Sequence, residues 1–175
     1  MKTKGFSLLE ILIAIILLAV SLLGLLVMQS RSVGYLVENN KYNVAMDLTG
    51  EYVDLVRSYK NLVYEKSIPN ALYYHDLKEK TPFWEDGKIK KVTQDCTSTT
   101  QASTEDDIAV KLACWNIKAE VSGITDTSIK IVPSRNIIKV TLFWESTTNS
   151  SGSYDCYSED TSNPEKCYFI TSAEI

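Results

Sequence analysis

The chain has 175 residues, with 18 Lys plus Arg against 22 Asp plus Glu, four cysteines and one histidine. A net charge of −4 with no basic block or aromatic–basic stripe argues against nucleic-acid binding. Cysteines without a CxxC pair, beside a lone histidine, argue against a metal centre, and the length allows one small domain beyond an N-terminal segment.

The first 28 residues, MKTKGFSLLEILIAIILLAVSLLGLLVM, are the most informative. A basic leader, residues 1–5, ends in Gly5, and Glu10 stands just before an uncharged run from Ile11 to Met28. A secretory signal is cut after its apolar stretch. Here the candidate cut, between Gly5 and Phe6, comes before it, so cleavage removes Lys2 and Lys4 and keeps the apolar segment. About 20 such residues at about 1.5 Å each cross a hydrocarbon core of about 30 Å, and the Leu, Ile and Ala content predicts a helix. Lys2 and Lys4 on the N-terminal side place Met1 in the cytoplasm and the remainder beyond the membrane. Glu10 is the anomaly, because an acid in a bilayer helix costs about 2.5–3.5 kcal/mol. One reading is an interfacial carboxylate near the headgroups. The other pairs it with the new α-amino group on Phe6, either the chain's own, four residues away along the helix, or that of a neighbouring subunit whose helix packs alongside with an axial offset.

No proline occurs before Pro69, and helical spacing continues past Met28. Val37, Val44, Leu48, Tyr52, Leu55 and Tyr59 form one stripe, with Glu38, Asn39, Lys41, Asp47, Glu51 and Asp54 largely off it. The spacing predicts one helix over 6–58, about 80 Å long, with 6–28 as the membrane segment. Residues 60–88 read as a connector holding Pro69, Pro82 and Gly87. Strands are expected at Ile89–Cys96, Ile108–Val121, Ile129–Val132, Asn136–Glu145 and Lys166–Ser172. The polar runs 97–107 and 146–165 read as loops. The fold class is therefore α+β: a long N-terminal helix packed on a small antiparallel β-sheet head, a ladle, with residues 59–175 as the globular domain.

Cys96, Cys114, Cys156 and Cys167 all lie in the head. An even count in an oxidising compartment suggests two disulfides, and of the three connectivities 96–114 and 156–167 are preferred because each closes a local loop. Asp155, Glu159 and Asp160 lack the ligand spacing of a calcium loop and read as a solvated turn. There is no GxSxG, and His75 has no identifiable nucleophile partner, so no catalytic function, metal or cofactor is expected.

The segment KGFSLLE, with glycine before the cut, phenylalanine after it and glutamate as the fifth mature residue, resembles the class III signal of type IV pilins and pseudopilins. The resemblance implies that a prepilin peptidase cuts after Gly5 and methylates Phe6, and that Glu10 aids docking onto a growing filament. It also implies an inner-membrane precursor with a periplasmic head, a later place in the pilus, and the assembly machinery and the lipid bilayer as partners. Within that family, LLAVSLLGLLVMQSRSV, with Gln29 and Arg31, is similar to PilV-type minor pilins, as are DLVRS at Asp54–Ser58 and IKVTLFWES at 138–146. That similarity implies association with other minor pilins and the major pilin in a complex that primes assembly, with a place at the pilus tip. Major pilins often carry a helix-breaking proline where this chain has Val27, which disfavours the fibre-forming role. The competing reading is an I-type minor pseudopilin of type II secretion, a group that tends to be shorter and to have Thr where this chain has Ser7.

Overall fold

The computed structural model describes residues 8–64, 77–93, 95–97, 103–132, 136–146, 156–157 and 166–175. Helix α1 runs unbroken over Leu8–Ser58, 51 residues. Neither Gly24 nor Gly50 stops it, since a helical glycine costs only about 1 kcal/mol. A single further turn, α2 (Lys60–Val63), follows. Strands β1 (Trp84–Glu85) and β2 (Lys88–Ile89) form a hairpin across Asp86-Gly87. Both turn residues have positive φ, 51° and 72°, the backbone that makes Asp-Gly a hairpin turn. Helix α3 spans Thr104–Val121, and β3 (Ile124–Val132), β4 (Ile137–Glu145), β5 (Cys156–Tyr157) and β6 (Lys166–Glu174) complete the head.

The four-stranded sheet has the order β3-β4-β6-β5 and is antiparallel throughout. Alternation along β4 turns Ile138, Val140, Leu142 and Trp144 inward and leaves Lys139 and Glu145 outside. The helices cover that inner face, α1 over β4 and β6 and α3 beside it over β3. Ala45, Leu48, Tyr52, Val53 and Val56 of α1 share one core with Ile108, Leu112, Trp115 and Ala119 of α3. The β1–β2 hairpin lies along the outer edge of β3: Ile129 N–H donates to the Gly87 carbonyl at 2.6 Å, and Ile89 N–H to Thr127 Oγ1 at 3.2 Å. That blunts an edge that would otherwise offer unpaired backbone groups to another chain.

All three tryptophans are buried, and each indole N–H has an acceptor. Trp84 donates to the Lys78 carbonyl at 3.2 Å, Trp115 to the Leu48 carbonyl at 2.8 Å and Trp144 to Glu38 Oε2 at 3.1 Å. A large apolar ring buried with its one donor satisfied is the stable arrangement. Tyr52 likewise donates to the Phe83 carbonyl at 3.2 Å, and burial pushes its hydroxyl pKa well above the ordinary value.

The structure corrects several local expectations. Ile108–Val121 is not a strand but most of α3. Its buried residues Ile108, Leu112, Trp115 and Ala119 recur at helical spacing, which outweighs its β-forming composition. The expected loop 97–107 ends in the start of that helix, with residues 98–102 outside the described set. Ser103 is the N-cap: its Oγ accepts from Asp106 N–H at 3.2 Å and donates to the Asp106 carboxylate at 2.8 Å. Of the strand expected over Ile89–Cys96, only Ile89 lies in a strand, β2; the Lys90 carbonyl beyond it accepts from Asn116 Nδ2 on α3 at 3.1 Å, and Gln94 lies outside the described residues. On α1 the docked face includes Ala45, Thr49 and Val53, while Val37 remains exposed. Glu38, expected off the apolar face, is buried at 3% exposure.

Candidate functional site

Helix α1 divides into two lengths of different character. Every residue from Leu8 to Val33 is exposed, with Leu8 at 82%, Leu17 at 63% and Met28 at 72%. This half is long and apolar enough to cross a membrane, and none of its most apolar stretch is covered by the chain itself. Glu10 is the acid in its first turn and is exposed. Gly5 and Phe6 lie outside the described residues. Ser21 Oγ donates to the Leu17 carbonyl at 2.8 Å, so this hydroxyl is satisfied inside the helix and leaves the apolar surface unbroken.

The change from bare to docked helix is made at Glu38, about 42 Å beyond Glu10 at about 1.5 Å per residue. Its carboxylate accepts from Trp144 Nε1 at 3.1 Å and from Ser146 Oγ at 3.2 Å. One turn on, Lys41 Nζ donates to the Glu145 carbonyl at 2.8 Å. Two charged side chains of α1 thus hold the end of β4. A buried carboxylate is tolerated only with such donors. At the opposite end of the head, the Tyr59 hydroxyl donates to Asp107 Oδ2, and Lys111 Nζ donates to the same oxygen at 2.8 Å. Hydrogen bonds from Lys111 and then Tyr59 hold the Asp107 carboxyl below its usual range, and hydrogen bonds to Asp107 and then Tyr59 raise Lys111. Arg57 donates to the Glu174 carbonyl at 3.1 Å, tying β6 to the same stretch of α1.

Cys96 is bonded to Cys114, and Cys156 to Cys167. The first bridge fastens the chain before α3 to the middle of that helix, not between two strands. The second joins directly opposite residues of β5 and β6. His75, Asp155, Glu159 and Asp160 lie outside the described residues, and among the described residues no group of three His, Cys, Asp or Glu is placed to hold a metal.

The signals missed in the sequence were Ser103-x-x-Asp106 ahead of a helical repeat, a helix start, and Glu38, whose indole donor lies about a hundred residues away. The first was readable locally; the second was not.

Residues 1–26 match the family model described as the prokaryotic N-terminal methylation motif. No curated protein and no solved structure matches the chain. The motif at the N-terminus, together with a long helix carrying a small antiparallel sheet, supports a type IV pilin-like or pseudopilin protein. Its class III signal implies processing by a prepilin peptidase and assembly with other pilins, and with the apolar helix it fits a membrane-anchored pilin. Pilin-like proteins are in general structural subunits, not catalysts.

Proposed function

We propose that this chain is a PilV-type minor pilin that helps to prime assembly of a type IV pilus and takes a place in its tip complex with other minor pilins and the major pilin. In this reading the leader 1–5 is cut after Gly5, Phe6 becomes the N-methylated terminus, and residues 6–28 span the inner membrane with the head, 59–175, in the periplasm. Glu10 then pairs with the α-amino group of a neighbouring subunit as the helix passes from bilayer to filament. The two disulfides suit an oxidising compartment.

The observation that carries the reading is one continuous helix whose first half is bare and whose second half is the spine of the head. A plain membrane anchor accounts for the bare half but not for Glu10, which adds cost to an anchor and supplies a charge partner to a filament.

Mass spectrometry of the N-terminus recovered from sheared pili tests the processing step. The expected species begins at N-methyl-Phe6; an intact Met1 in assembled fibres overturns it. Glu10→Val is expected to keep the protein in the membrane and to lower its recovery in pili, and equal recovery returns Glu10 to an interfacial role. Deletion of the protein is expected to reduce pilus number while the major subunit persists. A secreted enzyme stranded in the periplasm instead would assign the chain to type II secretion.

A further inference from the structure

We propose that the groove between the end of α3 and the membrane-proximal part of the docked half of α1 receives the bare apolar helix of a neighbouring pilin-like subunit, and that α3 thereby takes part in choosing the neighbour. This rests on the pilin-subunit reading above. Helices α1 and α3 run antiparallel: Asp107 meets Tyr59, Trp115 meets Leu48, and Val121 arrives beside Val37 and Val44. The groove there, about 520 Å³, is lined by Val33, Leu36, Val37 and Val44 from one helix and Val121 from the other. These are unusual side chains to leave in water: Val121 is 83% exposed, Leu36 64% and Val33 59%. Ile117, one turn before Val121 on the same face of α3, is 49% exposed and extends the strip.

Height along the helix identifies the occupant. Val33 lies about 7 Å beyond Met28 and Val44 about 24 Å beyond it, at about 1.5 Å per residue. The headgroup layer adds only about 5–7 Å to each side of the hydrocarbon core. A precursor spanning the bilayer with Leu8–Met28 therefore carries most of this groove above the lipid. It remains exposed until a protein surface covers it. The apolar surface that has to find a new environment when a subunit leaves the membrane is the helix of the Leu8–Met28 type, which the chain leaves wholly uncovered. The groove continues the line of that same helix, through Val33 and Leu36 into Val37 and Val44. Each subunit then carries an apolar helix to give and a groove to receive at different heights. Such a contact is heterologous, not the self-complementary contact of a two-fold dimer, and it extends into a filament wherever its rotation does not close a ring. Asn40, Lys41 and Ser122 line the polar side of the groove and limit its apolar width.

The test places a photoreactive benzoylphenylalanine at Val121 of the full-length protein in pilus-forming cells. The expected adduct maps to the apolar N-terminal helix of a second pilin-like subunit. Adducts only with lipid, only with head-domain peptides, or none at all overturn the proposal. In parallel, Val121→Asp sets a charge at a fully accessible position, so its melting temperature should match that of the parent. Its co-purification with that subunit is expected to fall by about tenfold or more, because a carboxylate would be carried into an apolar contact, whereas Val121→Leu should retain it. Unchanged co-purification of Val121→Asp overturns the proposal as well. The N-terminus is sequenced in the same samples: processed Phe6 chains in fibres with an indifferent Val121→Asp refute the groove alone, whereas fibres without processed chains refute the pilin reading itself.

Discussion

Two stretches of one helix, Leu8–Val33 and Glu38–Ser58, share a backbone and a taste for aliphatic side chains, yet only the second is buried by its own chain. Leu17 is 63% exposed and Leu48 5%. Each stretch contains a glycine with open space around it, and the helix passes through both. The difference lies in the solvent each half is built for. The docked half has an apolar stripe and a polar back, which suits a surface helix of a water-soluble head. The bare half is apolar all round, which suits lipid or a bundle of its own kind and loses about 1.5–3 kcal/mol for each large side chain left in water. One helix therefore serves two media, and the join at Glu38 is made by charged residues that grip the sheet.

The largest expected effect is a pair of matched truncations. Leu48→Ala should lower the stability of the head by about 2–5 kcal/mol, measured by denaturant unfolding of the full chain in detergent. Leu17→Ala should shift the same transition by less than about 0.5 kcal/mol, since it removes no contact within the head. Comparable losses would mean that the two halves are not independent. At the join, Glu38→Ala should cost about 1–3 kcal/mol, because it leaves the buried Trp144 indole N–H without the carboxylate it donates to. Glu38→Gln keeps a carbonyl acceptor and should recover part of that loss. Equal values for Ala and Gln would show that the Trp144 bond contributes nothing.

The two halves were not equally legible from sequence. The bare half depends on composition and on the order of leader, Gly5, Phe6 and Glu10, all local features, so it could be read without tertiary information. The long helix, β4 and β6 also announced themselves through periodicity. Failure came where tertiary contacts decide. Ile108–Val121 carries β-formers whose true period is helical, set by the face that packs Trp115 against Tyr52 with ring centroids 5.3 Å apart. Glu38 looks like a solvated charge until Trp144 is brought to it. The Val121 strip is invisible in sequence because it exists only where α3 ends against α1.

The smallest effect concerns how α3 is held. Lys111 and Tyr59 both favour the ionised form of Asp107, and its pKa is lowered. A lowered carboxylate contributes stability that is present above its unfolded value of about 3.9 and is lost as pH falls through the lower folded value. The pair is solvent-facing on the lysine side, 49% exposed, so its worth is that of a partly screened i,i+4 pair, about 0.5 kcal/mol. Asp107→Asn should therefore be slightly less stable than the parent at neutral pH, with the gap closing below about pH 4. A gap that persists at pH 2 would show that Asp107 acts through packing and neutral hydrogen bonds, and that α3 is fixed to α1 by its apolar face. The docked half of α1 would then hold its companion helix by burial, as at Trp115 and Leu48, with the exposed Lys118–Glu51 ion pair at the edge of that contact.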